Sequence, residues 1–241
     1  GYADELFDLN LKSAHDRIYD PAALTAGSIV EFIITSGILI SGSTTSTYAL
    51  TNPNTWPSGV FVRLVIESGA IVAGRGGDGG NASYYTDLDG FMAASDGGNG
   101  GNGLNIQSVI TITNNGIIAS GGGGGGGGGG TFAFASAGGG GGGAPLGIGG
   151  NKGTVNSIDA WGAQNGNNAN INNMYGGIGG LSSGGIFTVG NGGNGGDLGQ
   201  NGQTGQDDAT HHNYGQAGVS GDAIHGISFI TWVNMGTIYG A

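Results

Sequence analysis

Ten consecutive glycines, Gly121 to Gly130, and six more, Gly138 to Gly143, restrict what this chain can fold into more than any other feature. Glycine loses more backbone freedom on ordering than any other residue. A chain that keeps 60 glycines among 241 residues is therefore either disordered or puts the missing side chain to use. Related motifs surround the runs: Gly-Arg-Gly-Gly-Asp-Gly-Gly from Gly74, Gly-Gly-Asn-Gly-Gly-Asn-Gly from Gly97, and Gly-Gly-Asn-Gly-Gly-Asp from Gly192. Regular aliphatic blocks between them point to structural use.

Glycine returns every third residue in these stretches, most extensively at Gly190, Gly193, Gly196, Gly199, Gly202 and Gly205. Three is the repeat of the extended polyproline-II helix, which has no internal hydrogen bonds. Collagen shares the period but requires abundant proline, and only four prolines are present. The period predicts polyglycine-II packing, in which threefold helices lie side by side and bond to their neighbours through faces that carry no Cβ. On this reading Gly121–Gly130 and Gly138–Gly143 are interior helices, Asn99, Asn102, Asn191 and Asn194 mark solvated faces, and Gly196–Gly205 is an edge helix. Gly125→Ala is then expected to do far more damage than a Gly→Ala change within Gly199–Gly205.

A second pattern repeats. Ser28 to Thr35, Val60 to Ile66, Ile106 to Thr113 and Ile227 to Val233 are β-rich. Each is followed by a glycine-containing turn (Gly37, Gly69, Gly116, Gly236) and a second short apolar segment. Such self-similarity marks one recurring structural unit, read here as a single β-sheet that the last copy rejoins from the far end of the chain. The predicted fold class is mostly irregular and β: a polyglycine-II helical bundle capped by a small β-sheet module of four strand-turn-strand repeats. The expected domains are an N-terminal attachment segment at 1–26, a β-module at 27–73 joined by 104–119 and 226–241, and the glycine bundle with its loops at 74–221.

The net charge of −11, with five basic residues, excludes nucleic-acid binding, which needs clustered Lys and Arg. With no cysteine, disulfides and thiolate metal sites are impossible. No apolar stretch approaches the ~20 residues of a membrane helix, so no membrane insertion is expected.

The segments between glycine runs carry most of the chemistry. They hold Tyr84, Tyr85, Asp87, Asp89 and Phe91; Phe132 and Phe134; Trp161 and Tyr175; and His211, His212 and Tyr214. Function concentrates in loops on rigid scaffolds, and Tyr, Trp, Asn, Ser and Gly are what adaptable binding surfaces use. All twelve are candidate receptor-binding residues; the bland reading of the aromatic ones is a small apolar cap. His211 and His212 beside Asp207 and Asp208 would suit a metal, but adjacent loop histidines more often meet solvent or ligand, and no metal or cofactor is assigned. Asp87 and Asp89 are a pair of carboxylates of the kind glycoside hydrolysis uses. No acid or nucleophile stands out beside them, so no catalytic residue is assigned. A phosphate loop would need a strand-loop-helix context and a lysine, and both are missing.

The all-glycine runs beside Gly-Gly-Asn repeats, with aromatic loops between them, resemble the tail-fibre-tip adhesins of T-even-type bacteriophages over roughly Gly74 to Gly221. The resemblance implies a non-enzymatic receptor-binding protein at the distal end of a phage tail. Its partners would be the rest of a tail fibre or tail tip and a bacterial surface receptor, either an outer-membrane protein or a lipopolysaccharide or other glycan. The rival readings are an ice-binding protein and a capsule-degrading tail spike.

Overall fold

In a computed structural model, the structure describes residues 4–86, 90–130, 136–154, 162–183, 189–207 and 213–240. The chain winds repeatedly past three parallel sheets. The first turn places β1 (Asp4–Phe7), β2 (Leu9–Asn10) and, after the helix α1 (Leu11–Asp16), β3 (Ile29–Ile34). The second places β4 (Ile38–Ser41), β5 (Leu50–Asn52) and β6 (Phe61–Ile66), and the third begins with β7 (Ile71–Ala73). After an excursion that includes the antiparallel pair β8 (Tyr84–Thr86) and β9 (Gly90–Met92), it resumes with β10 (Leu104–Ile106), β11 (Ile110–Asn114) and β12 (Ile117–Ala119). A longer excursion ends at β13 (Ile224–His225), β14 (Ile230–Asn234) and β15 (Thr237–Tyr239).

The first sheet runs β1-β4-β7-β12-β15, the second β2-β5-β10-β13 and the third β3-β6-β11-β14, with every pairing parallel. This is a three-sided parallel β-solenoid. Alternation explains how each turn fills it. In β6, Val62, Leu64 and Ile66 point into a shared core with Leu50, Leu104, Ile110, Ile112 and Ile118, whereas Phe61 and Arg63 point out. Burying each such aliphatic side chain is worth about 1.5–3 kcal/mol. Gly37 and Gly69 stack at one corner with φ of 82° and 85°, a conformation that β-carbons disfavour. Gly37 N–H donates to the Gly69 carbonyl, so the corner propagates from turn to turn.

Both glycine-rich excursions leave from the first sheet and return to the second: Gly74–Gly103 joins β7 to β10, and Ser120–Ala223 joins β12 to β13. They are enlarged versions of the corner that the chain crosses in a single residue, Asp8, between β1 and β2. Gly121–Gly130 and Gly138–Gly143 are buried throughout. The ten-glycine run bonds by register of three. Gly121, Gly124 and Gly127 donate to Gly101, Gly98 and Ser95; Gly122, Gly125 and Gly128 donate to Ala144, Gly141 and Gly138; Gly123, Gly126 and Gly129 donate to Gln200, Gln203 and Gln206. Its carbonyls accept in the same rhythm from three further segments, including Gly77, Gly80 and Ser83. From Gly121 to Gly129 every main-chain N–H and C=O thus meets the obligation to pair that burial imposes.

The expected fold class is corrected on two counts. The structure is not a polyglycine-II helical bundle: helix among the described residues amounts to α1 and two three-residue 3-10 turns, and the regular structure is three parallel β-sheets. Glycine periodicity dictates which faces can approach, and the bonding between segments follows it, but these segments form no regular helix among the described residues. The β-rich part is also neither small nor one sheet. Each strand-turn-strand repeat straddles a corner, with its first strand in the third sheet and its second in the first. The short strands β2, β5, β10 and β13 supply the remaining side.

The edge ranking fails as well. A Cβ on Gly125 would stand 2.1 Å from the Gly193 carbonyl oxygen, but one on Gly202 or Gly205 would stand 2.1 or 2.0 Å from those of Gly124 and Gly127. Gly199, Gly202 and Gly205 are the single glycine face of that segment, and that face is the packed one.

Candidate receptor-binding end

The glycine segments run alternately away from the solenoid and back. Gly77, Gly80 and Ser83 donate in step to Gly122, Gly125 and Gly128, so 74–83 and 121–130 leave together, whereas 138–144 pairs with 121–130 in reverse. The returning turns meet the outer face of the first sheet. There Ala144, Met174 and Leu198 pack on Leu39, Ile71, Ala73 and Ala119. This second apolar cluster fixes the glycine region to the solenoid.

The outgoing ends lead to 87–89, 131–135, 155–161, 184–188 and 208–212. Asp87, Asp89, Phe132, Phe134, Trp161, His211 and His212 therefore lie outside the described residues. The flanking residues gather at one end, remote from the sheets. Ser83 Oγ donates to the Gly130 carbonyl at 2.8 Å. Ser136 and Ser183 form a bridge, and Ser136 Oγ bonds the Gly153 carbonyl. Gly190 N–H donates to Gly129, Gly129 to Gln206, and Ala94 to Asn213. Tyr84 and Tyr85 are in β8 and Phe91 in β9, with Tyr85 opposite Phe91. Tyr214 follows Asn213 at this end and is half-buried. Tyr175 is at the opposite end, on the turn beside the first sheet, and is 57% exposed.

The Asn and Asp residues between glycines do more than face water. Asp96, Asn99 and Asn102 accept the backbone N–H groups of Gln216, Val219 and Asp222 at 2.7–3.1 Å. Asn191, Asn194 and Asp197 likewise accept those of Ser182, Gly179 and Gly176 at 2.7–2.9 Å. Side-chain oxygens at three-residue spacing thus extend the bonding to segments that carry side chains. Sequence periodicity displayed these residues, but their acceptor role depends on neighbours up to 120 positions away.

The displaced carboxyl pKa values among the described residues fall on the solenoid. Burial alone would raise that of Asp8, but hydrogen bonds from the Ser43 hydroxyl and N–H, with Thr47, outweigh it and hold it below its ordinary value. The exposed Asp16 is lowered mainly by its hydrogen bond from Lys12, then by His15. Among the described residues no group of three His, Asp or Glu is placed to hold a metal ion. None of their helices is long and apolar enough to cross a membrane.

A glycine scaffold rooted on a β-solenoid and carrying loop stems at its free end is the build of a protein that presents a binding tip on a rigid mount. The sequence profile of the family "Phage tail fibre adhesin Gp38" matches residues 3–241, and the chain belongs to that family. Among solved structures it is similar to a chain of the gp37-gp38 adhesin tip complex of the bacteriophage S16 long tail fiber. The TM-score is 0.60 and the identity 27%, over 100% of this chain and 79% of that one. A search of curated proteins gives no match. As a phage tail-fibre adhesin the protein sits on the virion, at the distal end of the tail and outside the host cell.

Proposed function

We propose that this adhesin recognises a receptor on the bacterial surface, an outer-membrane protein or a glycan, through the loops at its free end. Attachment is non-covalent and involves no chemical step. The observation that carries this reading is the convergence of the loop stems at the end remote from the solenoid, on buried glycine backbone that is hydrogen-bonded throughout from Gly121 to Gly129. Binding groups on such a mount are preorganised, so little affinity is lost to ordering them. Avidity follows if several copies act together.

The solenoid is then the mounting part, joined to the rest of a tail fibre, as the S16 neighbour is described in complex with gp37. Residues 4–26 contribute its first turn, where α1 packs against β2 and β5. The last turn is open. β13, β14 and β15 end their sheets, Ile230, Trp232 and Ile238 are only partly covered, and Phe229, Val233 and Met235 are 42%, 69% and 52% exposed. Unpaired parallel edges around an apolar cross-section invite a partner, and we assign the fibre to them.

The test is a pull-down of the recombinant chain on host outer membranes, before and after protease or periodate treatment. Substitution of Tyr84, Tyr85 and Trp161 by Ala together is expected to abolish capture without lowering the melting temperature. Wild-type capture by that variant would refute the loop assignment.

A further inference from the structure

One feature of the described surface lies away from the free end and borders the open last turn through β15. Where the turn 170–175 meets the outer face of the first sheet, a groove of about 370 Å³ opens to solvent. That is within the ~300–1,000 Å³ range of small-molecule sites. Its aromatic lining is Tyr175, from the turn, and Tyr239, from β15, which are 57% and 46% exposed. Asn172, Asn173, Asp197 and Gln200 supply the polar lining. A second, more polar groove of about 210 Å³ shares Asp197 and Gln200 with the first and continues along Asn194, Asn201 and Gln203. Together they make one elongated trench.

The trench is preformed. Asn170 N–H donates to the Tyr175 carbonyl at 2.9 Å, and Asn170 Oδ1 accepts the Asn172 N–H at 3.0 Å, closing the turn. Between them Met174 is buried with φ of 56°, a left-handed conformation that non-glycine residues seldom adopt. Backbone strain of this kind gathers at ligand sites. Here it sinks the methionine into the apolar cluster while Tyr175 remains on the surface. Asp197 Oδ1 accepts the Gly176 N–H at 2.9 Å, which fixes the carboxylate and leaves Oδ2 for a ligand.

We propose that this trench is a saccharide-binding site, separate from the receptor loops, that takes a short stretch of bacterial surface oligosaccharide. The ligand class follows from the lining. Tyrosine faces carry the negative side of an aromatic quadrupole, which suits the C–H faces of pyranose rings. Planar carboxylate and amide groups pair with vicinal hydroxyls, as acceptor and as donor-acceptor. An elongated trench with aromatic residues at one end and amides along its length fits several linked sugars better than one compact metabolite. Only the bacterial source of the glycan rests on the adhesin reading; the saccharide chemistry rests on the trench alone.

The test titrates the whole chain with delipidated core oligosaccharide and O-antigen fragments, followed by calorimetry or NMR. Tyr175→Ala and Tyr239→Ala are each expected to weaken binding roughly tenfold or more. Asp197→Asn, which keeps an oxygen for the Gly176 N–H, loses a charge-assisted hydrogen bond and is expected to weaken it by about the same factor. Melting temperatures should stay within those of the wild type, and Phe132→Ala with Trp161→Ala should leave oligosaccharide affinity unchanged even where it ends capture on cells. The proposal is overturned if no fragment binds the wild type, if the three trench variants keep its affinity, or if the loop variant alone loses it. Loss of sugar binding on adding the tail-fibre partner would assign the trench to fibre docking and overturn it equally.

Discussion

The solenoid and the glycine region solve the same problem with opposite materials. In the solenoid, Leu64, Ile112, Ile118 and their neighbours fill the interior, and stability comes from apolar area withdrawn from water. In the glycine region there is almost nothing to withdraw. Main chain lies against main chain, and hydrogen bonds worth about 0.5–1.5 kcal/mol each must offset an ordering cost of about 1–2 kcal/mol per residue. A side-chain core tolerates volume changes by degrees. A backbone lattice does not, because a single methyl group finds a carbonyl oxygen where it would stand.

The sharpest way to break this contrast is to add that methyl. Gly97→Ala and Gly98→Ala differ by one position. The first places Cβ 2.1 Å from the Gly124 oxygen, and the second 3.1 Å from the Asp78 nitrogen. Gly97→Ala is expected to unfold the glycine region, read as loss of receptor capture and of a cooperative thermal transition, whereas Gly98→Ala should stay close to wild type. Gly125→Ala and Gly202→Ala should be equally severe. In the solenoid, Leu64→Ala is expected to cost about 2–5 kcal/mol in denaturant unfolding, a large but graded loss. Smaller again, Asn99→Ala removes one acceptor and leaves the Val219 N–H to water, and should cost about 0.5–1.5 kcal/mol, with Asn99→Asp milder.

The smallest effect is set by pH. The Asp8 carboxyl is held below its ordinary value of 3.8 in the folded protein. Its contribution is therefore complete above that value and is lost as pH falls through the lower folded one. Asp8→Asn should lower stability slightly near neutral pH and flatten the acid limb of the stability curve, so that variant and wild type converge as pH falls. An unchanged acid limb would show that the tie between Asp8 and Ser43 contributes nothing.

What the sequence displays follows the same division. Alternation in Phe61–Ile66 and β-branched composition are local, and a reader of the chain can see them. The closing side of the solenoid is built from strands as short as Leu50–Asn52 and Ile224–His225, too brief for any period to show. Its order is set by parallel pairings such as Leu104 with Ile224, across a long excursion. The glycine period shows which residues must be bare, yet not that Asn99 or Asn194 would serve as an acceptor. Nor does it show that the one glycine face of 199–205 is packed as tightly as Gly125. For the site, composition marks aromatic loops but not which end of the molecule each occupies. Tyr175 comes from the same reading as Trp161, and its turn meets the first sheet because the segments reverse direction each time. Tyr239, Asp197 and Gln200 carry no local signal, since the trench exists only where β15 and two returning turns meet.

The stretch of bare glycine is rigid because every main-chain N–H and C=O from Gly121 to Gly129 is bonded to a neighbouring segment. Residue-resolved amide hydrogen exchange on Gly121–Gly130 tests it most directly. Protection comparable to that of Ile110–Asn114 in the solenoid is the predicted result. Exchange at the rate of an unstructured peptide would contradict the account.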